Sequence, residues 1–209
     1  MLLDKLKDYR VVLASKSPRR QELLRGMGVE FDVSVSESGE EIQSEWTPSE
    51  TVRQLSARKA ESVYSRLAPS AEKPLLVIGG DTIVVLGDRF LGKPHDASEA
   101  VQMLRQLSGR THRVYSGLCV MTGQCLKLDD VCTEVTFSTL TEEDIDYYVR
   151  CYRPFDKAGA YGVQEWIGYR AISNLSGSFY NVMGLPTHRL WMLLEQLCAD
   201  SSTKAFDTI

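Results

Sequence analysis

The chain has 209 residues, 43% of them hydrophobic, and carries 24 lysines and arginines against 28 aspartates and glutamates, a formal net charge of −4. That length can bury a sizeable core within one domain, or one domain with a lobe, while the acidic balance excludes binding of polymeric nucleic acid through bulk charge, so any phosphate recognition must be local. No apolar run reaches the roughly 20 residues of a membrane span, the N-terminus MLLDKLKDYR has no signal-peptide core, and five cysteines without a C-x-x-C give neither a disulfide framework nor a zinc site.

Residues 10–15 form a short, β-branched apolar run that predicts a buried strand, and Ser17-Pro18 then supplies a helix N-cap with proline at the first helical position. The helix is expected to run to about Met27. VEFDVSVS alternates apolar and polar residues, as a strand with one wet face would, and a polar stretch with Glu40 and Glu41 follows. From Pro48 the spacing is helical, with Val52, Leu55, Lys59 and Val63 on one stripe, so that Lys59 interrupts an apolar face. PLLVIGGDTIVVLG predicts two strand segments bent at Gly79, Gly80 and Asp81. A helix capped at Asp96 or Ser98 and ending near Gly109 comes next, then a long hairpin around Gly123 and a helix opened by Thr141 and acids. GYRAISNLSGSF predicts a strand and turn, and a helix from Pro186 to about Leu197 precedes a polar tail, expected to fray from about residue 199. Alternating strands and helices with one hairpin define a mixed α/β sheet flanked by helices.

Four stretches carry chemistry. In LASKSPRRQELL the exposed N–H groups of a helix N-terminus combine with Arg19 and Arg20, bidentate donors suited to phosphate oxygens. Cations in a first turn oppose the helix dipole, which favours a functional reason for them over a solvated one. Lys59 must either snorkel to water or meet a negative partner, because unpaired burial of an ammonium is too costly. Asp81 follows an apolar strand, where a carboxylate can hold a divalent cation or take a proton from water, or else cap the turn through the amide of Ile83. Glu40 and Glu41 can add a second carboxylate to such a cation or remain solvated. Lys93 sits in the extended loop LGKP. In DKAGAYGVQ, glycines at 159 and 162 suit either a loop that approaches a ligand or a structural turn, and Gln164 offers a donor and an acceptor to a base edge. The histidines, His95, His112 and His188, are spread along the chain and read as surface or packing residues.

Together LASKSPRRQELL, ARKAESV, VIGGDTIVV, GKPHDASEAVQMLRQLSGRTHRVYSG, DKAGAYGVQ and NVMGLP resemble the Maf family of nucleoside triphosphate pyrophosphatases, in order and over nearly the whole chain. The resemblance implies a fold similar to the inosine triphosphatases, a single domain over residues 1–209 with two lobes about a central cleft. Arginine in the first motif and Gln164 are similar to the branch acting on dTTP and UTP. It further implies that Asp81 is the proton acceptor, with Glu40 a metal-binding partner and Glu41 the alternative for that role. Ser15, Arg20, Lys59 and Lys93 would hold the triphosphate, and Arg19, Thr82 and Gln164 would govern the choice of base. A divalent cation, Mg²⁺ or Mn²⁺, is the implied cofactor. A small-molecule nucleoside triphosphate is the implied partner, without membrane or polymeric nucleic acid, and a homodimer is implied with it; the cysteine usage separately predicts a reducing, cytoplasmic compartment. The alternative function is a non-catalytic nucleotide sensor or regulator of cell division. Glu165-Trp166 stands where a small or apolar pair is more usual in the family.

Overall fold

The computed structural model describes residues 1–39 and 41–204; Glu40 and the tail beyond Lys204 lie outside the described residues. Among the described residues seven strands form one mixed sheet, ordered β2-β1-β3-β5-β6-β7 with β4 on β3, which together with its flanking helices gives the expected fold class. No helix in the described residues is long and apolar enough to cross a membrane. The chain divides into two compact units: residues 1–81, 117–131 and 184–209 form the first, and residues 82–116 and 132–183 the second.

In the first unit, β1 (Arg10–Leu13) pairs in parallel with β2 (Asp32–Val33) and with the start of β3 (Leu75–Leu86). The β2 strand is far shorter than the alternation in VEFDVSVS suggests, and both of its residues are exposed. A short helix α1 (Leu2–Leu6), hidden to periodicity by its length, precedes β1, and α2 (Pro18–Gly26) begins where Ser17 accepts the amide of Arg20. The long helix α3 (Pro48–Leu67) starts in a capping box between Thr47 and Glu50. Its Ala57, Ala60 and Val63 pack with Val12, Ala14, Leu75, Val77 and Cys119 into a buried cluster. Burial pushes the Cys119 thiol up to about 12, so it behaves as a small apolar group.

Strand β3 corrects the expected bend at Gly79-Gly80-Asp81, since it is continuous through all three. The glycines serve close packing instead. A Cβ on Gly79 would lie 2.2 Å from the Ser56 carbonyl oxygen of α3, and one on Gly117 would lie 2.2 Å from that of Val52. Helix α3 therefore rests its backbone directly on the sheet at two glycines.

In the second unit, the end of β3 pairs antiparallel with β4 (Arg89–Leu91), and α4 (Ala97–Leu107) is capped by Asp96. Strands β5 (Thr111–Met121) and β6 (Leu126–Phe137), each divided between the two units, are the expected hairpin, closed within the first unit by a turn in which Thr122 donates its amide to the Cys125 carbonyl at 2.8 Å. Helix α5 (Glu142–Tyr152) has the capping box foreseen at Thr141. Where a strand was expected from Gly168, the chain first forms helix α6 (Trp166–Ala171) and becomes strand only at β7 (Ile172–Ser176), antiparallel to β6. Short helix α7 (Phe179–Met183) follows, and α8 (Thr187–Lys204) of the first unit closes the described chain, continuing past Leu197.

His112 is buried in the second unit between the rings of Phe137 and Tyr161, its Nε2 2.8 Å from the Tyr161 hydroxyl and its Nδ1 without a partner. Burial lowers its pKa from 6.5 to about 4. The unfolded chain then binds a proton at higher pH than the folded chain, so stability falls as pH drops from 6.5 toward 4 and is unaffected by this group above that window. We expect a loss of about 3 kcal/mol by pH 4 from this residue alone, read from urea melts at successive pH values. His112→Phe should flatten the slope across this window.

Candidate active site

The loop after β1, the start of α2, helix α3 and the middle of β3 bring four of the expected residues together in the first unit. Ser15 is buried, and its Oγ accepts the Ser17 amide at 3.2 Å and Nη1 of Arg20 at 3.2 Å. Arg20 also donates Nε to the Gly184 carbonyl at 2.8 Å, which fixes the plane of its guanidinium. Its side chain lies over Gly80, where an added Cβ would come within 3.5 Å of Nε. Asp81 is the next residue, and Lys59 Nζ reaches its Oδ1 at 2.6 Å, both side chains nearly out of contact with water.

Of the two readings open for Lys59, the negative partner prevails over snorkelling. Its carbon chain shares the apolar stripe of α3 and its ammonium meets the one carboxylate on the adjacent strand. Asp81 points toward α3 from mid-strand and is no turn cap; a hydrogen bond to the Ile83 amide is incompatible with the continuous β3. A buried ion pair such as this is costly to desolvate and adds little stability over apolar groups of similar volume, so its retention calls for a chemical reason. Around that carboxylate stand a lysine, the fixed guanidinium of Arg20 one residue away, and the N-terminus of α2, whose first turn contains no acid. Such an arrangement attracts a polyanion to the neighbourhood of a base.

Arg19 is half-buried in the same turn of α2, and Glu41 is exposed. Glu40 lies outside the described residues. Among the described residues no group of three or more His, Cys, Asp or Glu side chains could enclose a metal ion. The donor set nonetheless fits a hard cation held mainly by its substrate: Mg²⁺ commonly takes one or two carboxylates plus phosphate oxygens, and the Asp81 carboxylate already holds a cationic group at 2.6 Å.

Thr82, Lys93 and Gln164 belong to the second unit and share a framework there. The Gly159 amide donates to the Gly92 carbonyl at 3.0 Å, tying the loop of Lys93 to the segment 157–165. Gly159 adopts φ 68°, and a Cβ on it would approach the Val84 methyl groups at 3.2 Å, so this segment is also seated against β3 two residues beyond Thr82. The glycine motif thus builds a tight ligature, which the sequence left open between turn and ligand loop. Gln164 carries a buried Oε1 without a hydrogen-bond partner. An acceptor in that condition is expensive unless something donates to it.

A cluster that the spacing of motifs did not reveal holds Gln164 in place. Lys157, buried, donates Nζ to Asp156 at 2.7 Å and lies 3.1 Å from Glu165 Oε1. Glu165 Oε2 also accepts the Tyr148 hydroxyl, which in turn accepts the Gly162 amide at 3.0 Å. Glu165, the unusual residue of VQEWIG, is thereby the anion that clamps the segment from both sides. The sequence signal for this was the lysine inside a glycine-rich run, with an acid following seven or eight residues later.

The fold and this constellation define an α/β protein with a buried carboxylate flanked by a lysine, an anchored arginine and a helix N-terminus. The chain belongs to the Maf family: the family model described as Maf-like protein matches residues 10–197. A dTTP/UTP pyrophosphatase of Phocaeicola vulgatus is 43% identical over 94% of this chain and all of that one. A dTTP/UTP pyrophosphatase of Porphyromonas gingivalis is 45% identical over 91% of this chain and 95% of that one. Among solved structures, a nucleoside-triphosphatase described as dITP/XTP pyrophosphatase from Mycobacterium abscessus is 13% identical over 93% of this chain and 97% of that one, with a TM-score of 0.43, too distant to bear on chemistry.

Proposed function

We propose that this chain is a nucleoside triphosphate pyrophosphatase that converts dTTP and UTP, with related modified pyrimidine nucleotides, to the nucleoside monophosphate and pyrophosphate. The activity named for its relatives supports this reading, and the observation that carries it is the buried Lys59–Asp81 pair beside the Ser15–Arg20 anchor. Before substrate binds, lysine and aspartate neutralise each other. A triphosphate of about −4 charge competes for the ammonium, and the freed carboxylate oxygen then accepts a proton from water. The water oxygen bonds to the α-phosphorus as the bond from that phosphorus to the bridging oxygen breaks, and pyrophosphate leaves with the electron pair. Ser15, Arg20, Lys59 and Lys93 would bind and orient the phosphates. A divalent cation held by Asp81, together with Glu40 or Glu41, would supply charge neutralisation for the departing pyrophosphate. Arg19, Thr82 and Gln164 would select the base.

A pyrophosphate-release assay over a nucleotide panel tests the proposal. We expect multiple turnovers with dTTP and UTP and much slower turnover of purine triphosphates. Tight binding without release of product would mark a nucleotide sensor instead. The unpartnered Oε1 of Gln164 suits the N3–H of uracil and thymine. Gln164→Ala should therefore lower the preference for UTP over other triphosphates by about tenfold in kcat/KM, as expected for one lost specificity contact. Equal losses on every base would make Gln164 structural.

A further inference from the structure

The main chain that carries Gln164 is a four-residue turn. The Glu165 amide donates to the Gly162 carbonyl at 3.0 Å, which leaves Val163 and Gln164 as its two central residues. Both ends of this turn meet one hydroxyl. Tyr148 of α5, fully buried, accepts the Gly162 amide at 3.0 Å and donates to the Glu165 carboxylate, so a single oxygen bridges the first residue of the turn and the last. Gly162 leaves room for this, since a Cβ there would lie 2.8 Å from the folded-back carboxyl carbon of Glu165. The bridging ring is itself held, stacked on Tyr152 with centroids 5.0 Å apart and 21° between the planes. Beyond the turn, Tyr147 packs against Trp166 at 4.9 Å, and Arg170 donates to both oxygens of Asp144 at 2.7 and 3.1 Å. Positions 144, 147 and 148 share one face of α5, which therefore grips the turn and α6 together. Glu165-Trp166, the pair that departs from the family pattern, is the pair that meets Tyr148 and Tyr147.

We infer that Tyr148, which lies outside the motifs that carry the family resemblance, is a positioning residue for base selection: its hydroxyl fixes the turn from which the Gln164 amide reaches the nucleotide base. The inference rests on the reading of Gln164 as a base-selecting residue. Gln164 is half-buried and its Oε1 has no hydrogen-bond partner, so this oxygen does not hold the side chain in place; the backbone that bears it does. Recognition by one amide depends on distance and angle together, and a misplacement of about 1 Å forfeits most of such a contact. Without the Tyr148 hydroxyl the buried Gly162 amide loses its acceptor and Glu165 one of its donors, and the turn is free to open. Lys157 stays 3.1 Å from Glu165 Oε1 and bonded to Asp156 at 2.7 Å, which confines the change to the turn.

The test is the ratio of kcat/KM for UTP to that for GTP, taken well below the melting temperature of each variant. Tyr148→Phe keeps the stacked ring and removes only the hydroxyl, and it should compress the ratio about three- to tenfold. Glu165→Ala removes the other end of the bridge and should do the same, so it decides alone should Tyr148→Phe fail to fold. A residue that acts through Gln164 has nothing left to act on once that amide is gone. In a Gln164→Ala background, Tyr148→Phe should therefore change the ratio by less than twofold. Equal losses on UTP and GTP in both single variants, or a Tyr148→Phe effect that persists in full beside Gln164→Ala, would overturn the inference. The two readings fail separately: a ratio changed by Gln164→Ala and by neither of the others removes Tyr148 alone, whereas a ratio untouched by Gln164→Ala removes Gln164 as the selecting group and Tyr148 with it. If the wild type releases no pyrophosphate, the proposed activity falls, and the same ratios taken as dissociation constants decide the assignment of Tyr148.

Discussion

Asp81→Asn is expected to lower kcat by about 10²- to 10⁴-fold on dTTP or UTP while leaving nucleotide affinity within a few-fold of wild type. The amide is nearly isosteric with the carboxylate and its oxygen can still accept from Lys59, which reaches Asp81 Oδ1 at 2.6 Å, so the geometry of α3 against β3 survives. What disappears is a group able to accept a proton at neutral pH. Single-turnover kinetics separate the two effects, since substrate still saturates and only the chemical step slows. An unchanged kcat would remove Asp81 from the role of base. Lys59→Met makes the complementary change. It strands a buried carboxylate, so a melting temperature lowered together with a raised KM is expected, in contrast to the pure kcat effect at Asp81.

How far this site could be foreseen differs from residue to residue. Lys59 was legible because a charge on an apolar helical stripe admits few outcomes, and its partner had to come from a strand facing that stripe. Ser17 and Pro18 were legible because helix capping is a local property. The course of β3 was not, because two glycines before an aspartate spell a turn to any local reading; only the approach of the α3 backbone explains them. Helix α6 was obscured by β-forming aromatics in a segment whose first residue, Glu165, is held by Lys157 and Tyr148.

Those glycines set up the second large effect. Gly79→Ala would place a methyl group 2.2 Å from the Ser56 carbonyl oxygen, and 3.1 Å from the Ala60 side chain. Neither backbone can yield by a rotamer change, so α3 must lift from the sheet by roughly an ångström in an interior packed to crystal density. The cost is expected at about 3 kcal/mol, a fall of roughly 6–12 °C in Tm for a chain of this size. Gly117→Ala meets Val52 in the same way and should cost as much. Gly26→Ala is the control: nothing lies within 4 Å of its added Cβ, and alanine near a helix end should be neutral or stabilise by about 0.5–1 kcal/mol. Because α3 carries Lys59, lifting it also lengthens the 2.6 Å contact to Asp81. Gly79→Ala should therefore lose kcat/KM at temperatures well below its own melting point, whereas a substitution that only destabilised the fold would retain full activity there. Wild-type kinetics in folded Gly79→Ala would mean that the sheet, rather than the helix, gives way, and that the spacing of Lys59 from Asp81 does not depend on this glycine.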